Sequence, residues 1–197
     1  MLIEETTVPD TALPVEEFKA HLRLGRGFGD DSLQDGVLTS FLRAAVAAIE
    51  ARTGKVLIER EFVLSVGAWQ AVDCHRFPVA PVTVVTTMTR VDRDGVRAQS
   101  APDAFWLERD AHVPRLRSVG SALPGVPEAG AVEVAFRAGF GLVWSDVPAD
   151  LAQAVMLLAA HYYEFRHETT LSEGCMPFGV TSLIERYRVK RLGGGAR

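Results

Sequence analysis

The chain has 197 residues, 48% of them hydrophobic and 23% charged, with a formal net charge of −4. A chain of this size buries roughly 70% of its unfolded surface without disulfide or metal staples, and no apolar run approaches the ~20 residues needed to cross a bilayer. The negative balance argues against a protein whose main business is gripping nucleic acid through its phosphates.

Met1-Leu2-Ile3-Glu4-Glu5 is acidic where a secretory signal needs a positive start, so the expected compartment is the cytoplasm. Cys74 and Cys175 lack metal-type spacing and read as reduced thiols. Pro14 to Arg23 predicts a short helix with acids in its first turn, bases in its last, and Val15, Phe18 and Leu22 on one face; Gly25 and Gly27 end it. Asp30-Asp31-Ser32 announces a second helix that runs to Thr53-Gly54, where the glycine takes the left-handed stop. Its expected buried face is Leu33, Val37, Phe41, Ala45, Ala48 and Ile49. Ala44, Ala45, Ala47, Ala48 and Ala51 keep that helix slim and open to close approach by another.

From Lys55 to about Phe140 the period turns strand-like. Strong strands are expected at 56–66 and 82–91, with Asp92-Arg93-Asp94-Gly95 turning into 96–98. Weaker ones are expected at 104–108 and 113–117, and an alternating one at 131–137. Proline keeps 77–81 and 123–127 as extended loops.

Ser145 or Asp146 is the expected cap of a long helix carrying Pro148 and Asp150 in its first turns. Val147, Leu151, Val155, Leu158, Tyr162 and Phe165 mark one continuous face. Met156, Leu157, Ala160 and Tyr163 fall off it, so the helix is covered on two sides: the Ala-rich helix is its natural partner, and the second cover is the chain's own β-layer or a neighbouring subunit. The fold class is therefore α+β: a helical frame (short helix, Ala-rich helix, long helix of the C-terminal half, tail segment) with an inserted antiparallel β-module. Its division is 1–54 with 141–197 for the helical domain and 55–140 for the insert.

Chemistry-bearing motifs are few. His161, Glu164 and His167 share part of a helical face, but the spacing is not that of a zinc-protease helix. His21 reads as a solvated or interface residue, and His75 and His112 have no serine or cysteine elbow beside them. Cys175 has no base to activate it, and Gly139-Phe140-Gly141 lacks the third glycine and the helix of a dinucleotide loop. These observations point to no enzyme, no cofactor and no metal. The chain ends basic, with Arg186, Arg188, Lys190, Arg191 and Arg197 following Glu185 and no acid among them. That tail reads as a solvated charge run, as a cationic end for phosphates with Tyr187 to stack, or as a docking segment inserting Leu183, Ile184, Tyr187 and Leu192 against an acidic partner protein.

Val15 to Leu24, Ala51 to Gly54, Phe136 to Gly141 with Val147 to Ala154, His161 to Arg166, and Pro177 to Arg188 together resemble, in order and spacing, the head-tail connector (adaptor) proteins of tailed bacteriophages. That family includes the adaptors of alphaproteobacterial gene transfer agents. The resemblance implies a non-enzymatic adaptor forming a ring, usually of twelve copies, between the portal and a stopper or tail-completion protein. DNA passes through its channel without specific binding, and no membrane is involved. It implies assembly in the bacterial cytoplasm and residence in the particle neck. It also implies portal docking by Leu183, Ile184, Arg186, Tyr187, Arg188, Lys190 and Arg191. Leu151, Val155, Met156, Leu158, Tyr162 and Tyr163 of the long helix are then the expected contact between subunits. The alternative is a DNA-binding or DNA-packaging accessory protein that uses the basic tail.

Overall fold

The structure, a computed structural model, describes residues 1–23, 31–166 and 176–188, the side chains of 31–33 excepted. It divides into two compact units, Met1–Val8 with Ile58–Phe140, and Pro9–Leu57 with Gly141–Arg197.

The first unit is antiparallel β throughout. Its described strands are β1 (Leu2–Glu4), β2 (Arg60–Val66), β3 (Cys74–Arg76), β4 (Val82–Val91), β5 (Arg97–Gln99), β6 (Phe105–Glu108), β7 (Arg115–Ser118) and β8 (Ala131–Ala138). They form one sheet in the order β1-β2-β8-β4-β5 and a second in the order β3-β7-β6. Alternation decides which side of β8 is core: Val132, Val134, Phe136 and Ala138 are buried, and the residues between them are not. The Phe136 ring stacks on Phe62 at 5.5 Å and tilts against Phe77 at 4.8 Å. Twice β4 carries an extra residue against β8, at Thr83 and Thr86. Each threonine hydroxyl there donates to a β8 carbonyl, of Arg137 at 3.2 Å and of Ala135 at 2.9 Å, so the bulges leave those acceptors satisfied. After β8, Gly139 adopts φ 145°, and a Cβ there would lie 2.3 Å from the Glu59 backbone, so a side chain is excluded.

Three sequence expectations change in this unit. Residues 1–8, assigned to the helical frame, instead supply β1, whose Leu2, Ile3 and Glu4 lie opposite Leu64, Val63 and Phe62. Three residues are too short to show a period, and the strand exists because β2 offers an edge. Glu4 pairs with the buried Arg60 at 2.8 Å. The strand expected from residue 56 begins at Arg60, because Val56 and Leu57 are buried in the connection and the Leu57 N–H donates to the Glu50 carboxylate at 2.7 Å. β3 was not foreseen, its three polar-leaning residues carrying no strand signal.

In the second unit the described helices are α1 (Val15–His21), α2 (Asp31–Thr53), α3 (Ala149–Glu164) and α4 (Phe178–Ile184). Lys19 on α1 reaches Asp35 at 2.5 Å and Glu16 at 2.8 Å, and Asp35 foremost pushes its ammonium further toward the charged form. Gly54, at φ 66°, closes α2 with its N–H on the Glu50 carbonyl at 2.8 Å. The buried stripe of α2 is Leu38, Leu42, Ala45, Val46 and Ile49. This corrects the expected face by about one position: Val37 is 47% exposed, and Phe41 and Ala48 are half-buried. The expected cap of α3 also moves. Trp144–Asp146 forms a separate 3-10 turn, in which Asp146 accepts the Val143 N–H at 3.3 Å, and the extended Pro148 takes the cap position.

Leu151, Ala154, Val155, Leu158 and Ala159 on α3 are at most 1% exposed. The two-sided cover has a definite source, for α3 packs against α2 and also against α4 of the same chain. Truncating Phe136 to alanine should cost about 3–5 kcal/mol in chemical denaturation of the chain, and Phe136→Leu under ~1.5.

Candidate functional site

The C-terminal segment folds back onto α3. Pro177 starts α4 as its cap, and the spacing of Val180, Ile184 and Tyr187 places three buried side chains on one face across α4 and the following 3-10 turn Glu185–Tyr187. At the end of that face lies a polar clamp on the first turn of α3. The Tyr187 hydroxyl donates to Asp150 Oδ1 at 2.7 Å, and Arg186 Nε pairs with Asp150 Oδ2 at 2.7 Å. The Arg186 guanidinium also lies 4.7 Å above the Tyr187 ring and donates to its hydroxyl. Burial pushes the Tyr187 phenol above its ordinary value, so it stays a donor. A shallow depression of about 160 Å3 beside it is lined by Arg52, Met176, Thr181, Ile184 and Arg188.

This geometry reassigns much of the expected docking set. Ile184 and Tyr187 are buried against the chain's own fold, Leu183 is half-buried, and Arg186 is held by Asp150. Arg188 is exposed and pairs with Glu185 at 3.3 Å. Lys190 and Arg191 lie outside the described residues. In the described part of the basic tail, Arg186 and Arg188 thus each have an acidic partner in the chain. Of the expected subunit-packing set, Leu151, Val155, Met156 and Leu158 are buried within the chain itself, whereas Tyr162 and Tyr163 are half-buried. The Tyr163 ring meets Phe41 edge-on at 6.0 Å and carries Arg166 at 4.5 Å.

One residue of this segment carries no role in the sequence pattern. Phe178 is 88% exposed at the first position of α4. Its signal was positional, since it falls two residues before Val180 and so off the 180, 184, 187 stripe.

The remaining candidates are structural. His75 lies in the small sheet, where its Nδ1 accepts the Gln70 N–H at 3.3 Å and its ring meets Trp69 edge-on at 5.4 Å. Burial lowers its pKa from the ordinary 6.5, which keeps it neutral as that acceptor role requires. On the outward side of the same sheet Glu108 bridges Arg115 at 3.0 Å and Arg117 at 2.5 Å, and Arg117 foremost holds the carboxyl below its usual range. A groove of about 590 Å3 there is lined by Asp73, Cys74, Arg76, Arg115 and Arg117. His161 packs on Phe165 at 4.6 Å, and among the described residues no three metal-type side chains converge. His167 and Cys175 lie outside the described residues, and no described helix is long and apolar enough to cross a membrane.

No family model matches the chain, and no curated protein sequence does. Solved structures do. A chain from the neck of an empty gene transfer agent (GTA) particle computed with C6 symmetry is 51% identical over 100% of both chains, with a TM-score of 0.91. Another, from the neck of a native GTA particle computed with C12 symmetry, is 48% identical over 100% of both chains at a TM-score of 0.86. A third, from the virion of a native GTA particle, is 52% identical over 99% of this chain and 98% of that one, at a TM-score of 0.87.

Between its lowered pKa and 6.5, the folded state binds fewer protons at His75 than the unfolded state, so the stabilisation is present above pH 6.5 and lost as pH falls through the lowered value. Denaturation at pH 7.5 and 5.5 should show a drop that His75→Gln removes. Tyr187→Phe should cost about 1 kcal/mol, and a double-mutant cycle with Asp150→Asn should read a coupling of about that size, the lost Arg186 pair adding its own smaller cost to every Asp150→Asn variant.

Proposed function

We propose a function on the premise that this chain belongs to the head-tail connector family found in the necks of gene transfer agent particles. It is a structural subunit of the neck ring, and the native neck's C12 symmetry fits twelve copies. The observation that carries this is about half identity over the full length of both chains at a TM-score of 0.91.

The finer reading is mechanical. The ring binds the portal on its head side and a stopper or tail-completion protein on its tail side, and it turns over no substrate. Subunits assemble in the bacterial cytoplasm before entering the particle. The net charge of −4 supports a channel wall that repels phosphate, along which duplex DNA slides instead of sticking.

The docking role of the tail takes a different form from the one the sequence alone suggested. Val180, Ile184 and Tyr187 anchor the segment on its own α3, and among the described residues the exposed Phe178 and Arg188 remain for a partner, with Lys190 and Arg191 following in the sequence. An anchor that is folded before the partner arrives lowers the ordering cost of docking.

Removing residues 189–197 should leave unfolding of the chain unchanged, because the buried anchor stays, and should abolish co-purification with the portal. Retained portal binding would move the docking site elsewhere on the chain. The full-length subunit should show negligible affinity for duplex DNA at 150 mM salt in a fluorescence-anisotropy titration. Binding that fell steeply with salt would favour the nucleic-acid reading instead.

A further inference from the structure

Among the described residues, the five-stranded sheet ends in two edges without a further strand, β1 and β5. Every neighbouring pair in it is antiparallel, so with an odd number of strands both edges run in the same direction. Their unpaired backbone groups follow from the bonds already made. On β1, the Ser65 N–H donates to the Met1 carbonyl at 2.8 Å and the Glu5 N–H to the Glu61 carbonyl at 2.8 Å. Met1, Ile3 and Glu5 thus face β2, and Leu2 and Glu4 turn their N–H and C=O groups outward. On β5, the Asp92 N–H donates to the Val96 carbonyl at 3.1 Å and the Ser100 N–H to the Met88 carbonyl at 2.8 Å. Val96, Ala98 and Ser100 therefore face β4, and Arg97 and Gln99 point outward.

The two outward sets lie on opposite sides of the sheet. Leu2 and Glu4 share the side of the buried Leu64 and Phe62, whereas Arg97 and Gln99 lie on the side away from the buried Val132 and Val134. An antiparallel match between the edges would turn one sheet over relative to the next. A parallel match does not, because there a residue bonds to the two neighbours of the residue across from it. A copy related by rotation, as in a ring, presents its edge in that parallel sense.

We propose that β1 of one subunit adds in parallel to β5 of the next, joining the five-stranded sheets edge to edge around the ring. The inference rests on the ring reading above. Glu4 lies across from Ala98: the Glu4 N–H donates to the neighbour's Arg97 carbonyl, and the Gln99 N–H donates to the Glu4 carbonyl. This register sets Leu2 beside Val96, which is 64% exposed, and brings the exposed Glu5 diagonally to the exposed Arg97 on the other face. The alternative register, with Leu2 across from Ala98, leaves Val96 uncovered. Glu5 beside one edge and Arg97, which also pairs with Glu133 of its own sheet, on the other favour unlike over like edges, and each subunit uses both edges once, as a closed heterologous ring requires.

The test is Leu2→Cys with Val96→Cys in a Cys74→Ser, Cys175→Ser background, oxidised in purified particles and resolved on a non-reducing gel. A ladder of cross-linked multimers, absent from either single cysteine, is the expected result. A neck ring that is present while the chain stays monomeric on the gel overturns the edge pairing and leaves the neck role standing. Absence of the wild-type chain from the neck overturns both. Density of the wild-type neck, which needs no substitution, should show β1 and β5 of adjacent copies about 4.8 Å apart, and a wider separation refutes the pairing.

Discussion

The double-sided pairing of β8 is the constraint on which the β unit depends. Its backbone is bonded to β2 along one edge and to β4 along the other, and its alternate side chains Val132, Val134 and Phe136 make the floor of the core. A one-residue slip would turn that whole row to the opposite face, so register here is fixed by burial. The threonines at the two β4 bulges let the strand bend without abandoning carbonyls of β8. The position of every other strand in the large sheet, including its two edges, follows from this central pairing.

In the helical unit the equivalent role belongs to α3. A helix that is apolar nearly all round demands two covers, and both come from the same chain: α2 through its Leu38, Leu42, Ala45 and Ile49 stripe, and α4 through Val180 and Ile184. Asp150 then fixes where the last segment stops, by holding Tyr187 and Arg186 on the first turn of α3. The consequence for assembly is direct. Side chains that complete a subunit's own core are withdrawn from contact with neighbours, which is why the proposed contacts lie elsewhere, on strand edges and the exposed Phe178.

Membership in the neck family was legible because several ordered segments along the chain resembled it, and the relatives at about 50% identity agree with that reading. The roles of individual residues were less legible. Leu183, Ile184 and Tyr187 looked like an exposed docking stripe because apolar residues at helical spacing beside bases look the same in sequence whether they face a partner or their own fold. The shift of the α2 face has a similar cause: in an alanine-rich helix many faces are small and apolar, and periodicity alone chooses weakly among them.

Sequence by itself determined the α+β class, the order of the main helices and strands, the left-handed stop at Gly54 and the alternating core face of β8, because each is written in local period, capping and turn chemistry. Tertiary structure alone decided that residues 1–8 form an edge strand, that α4 supplies the second cover of α3, and that Asp150 receives Tyr187 and Arg186. These depend on contacts between positions far apart in the chain, such as 2 with 64 and 150 with 187, and the free energy of such contacts comes from surfaces that exist only once the chain has folded.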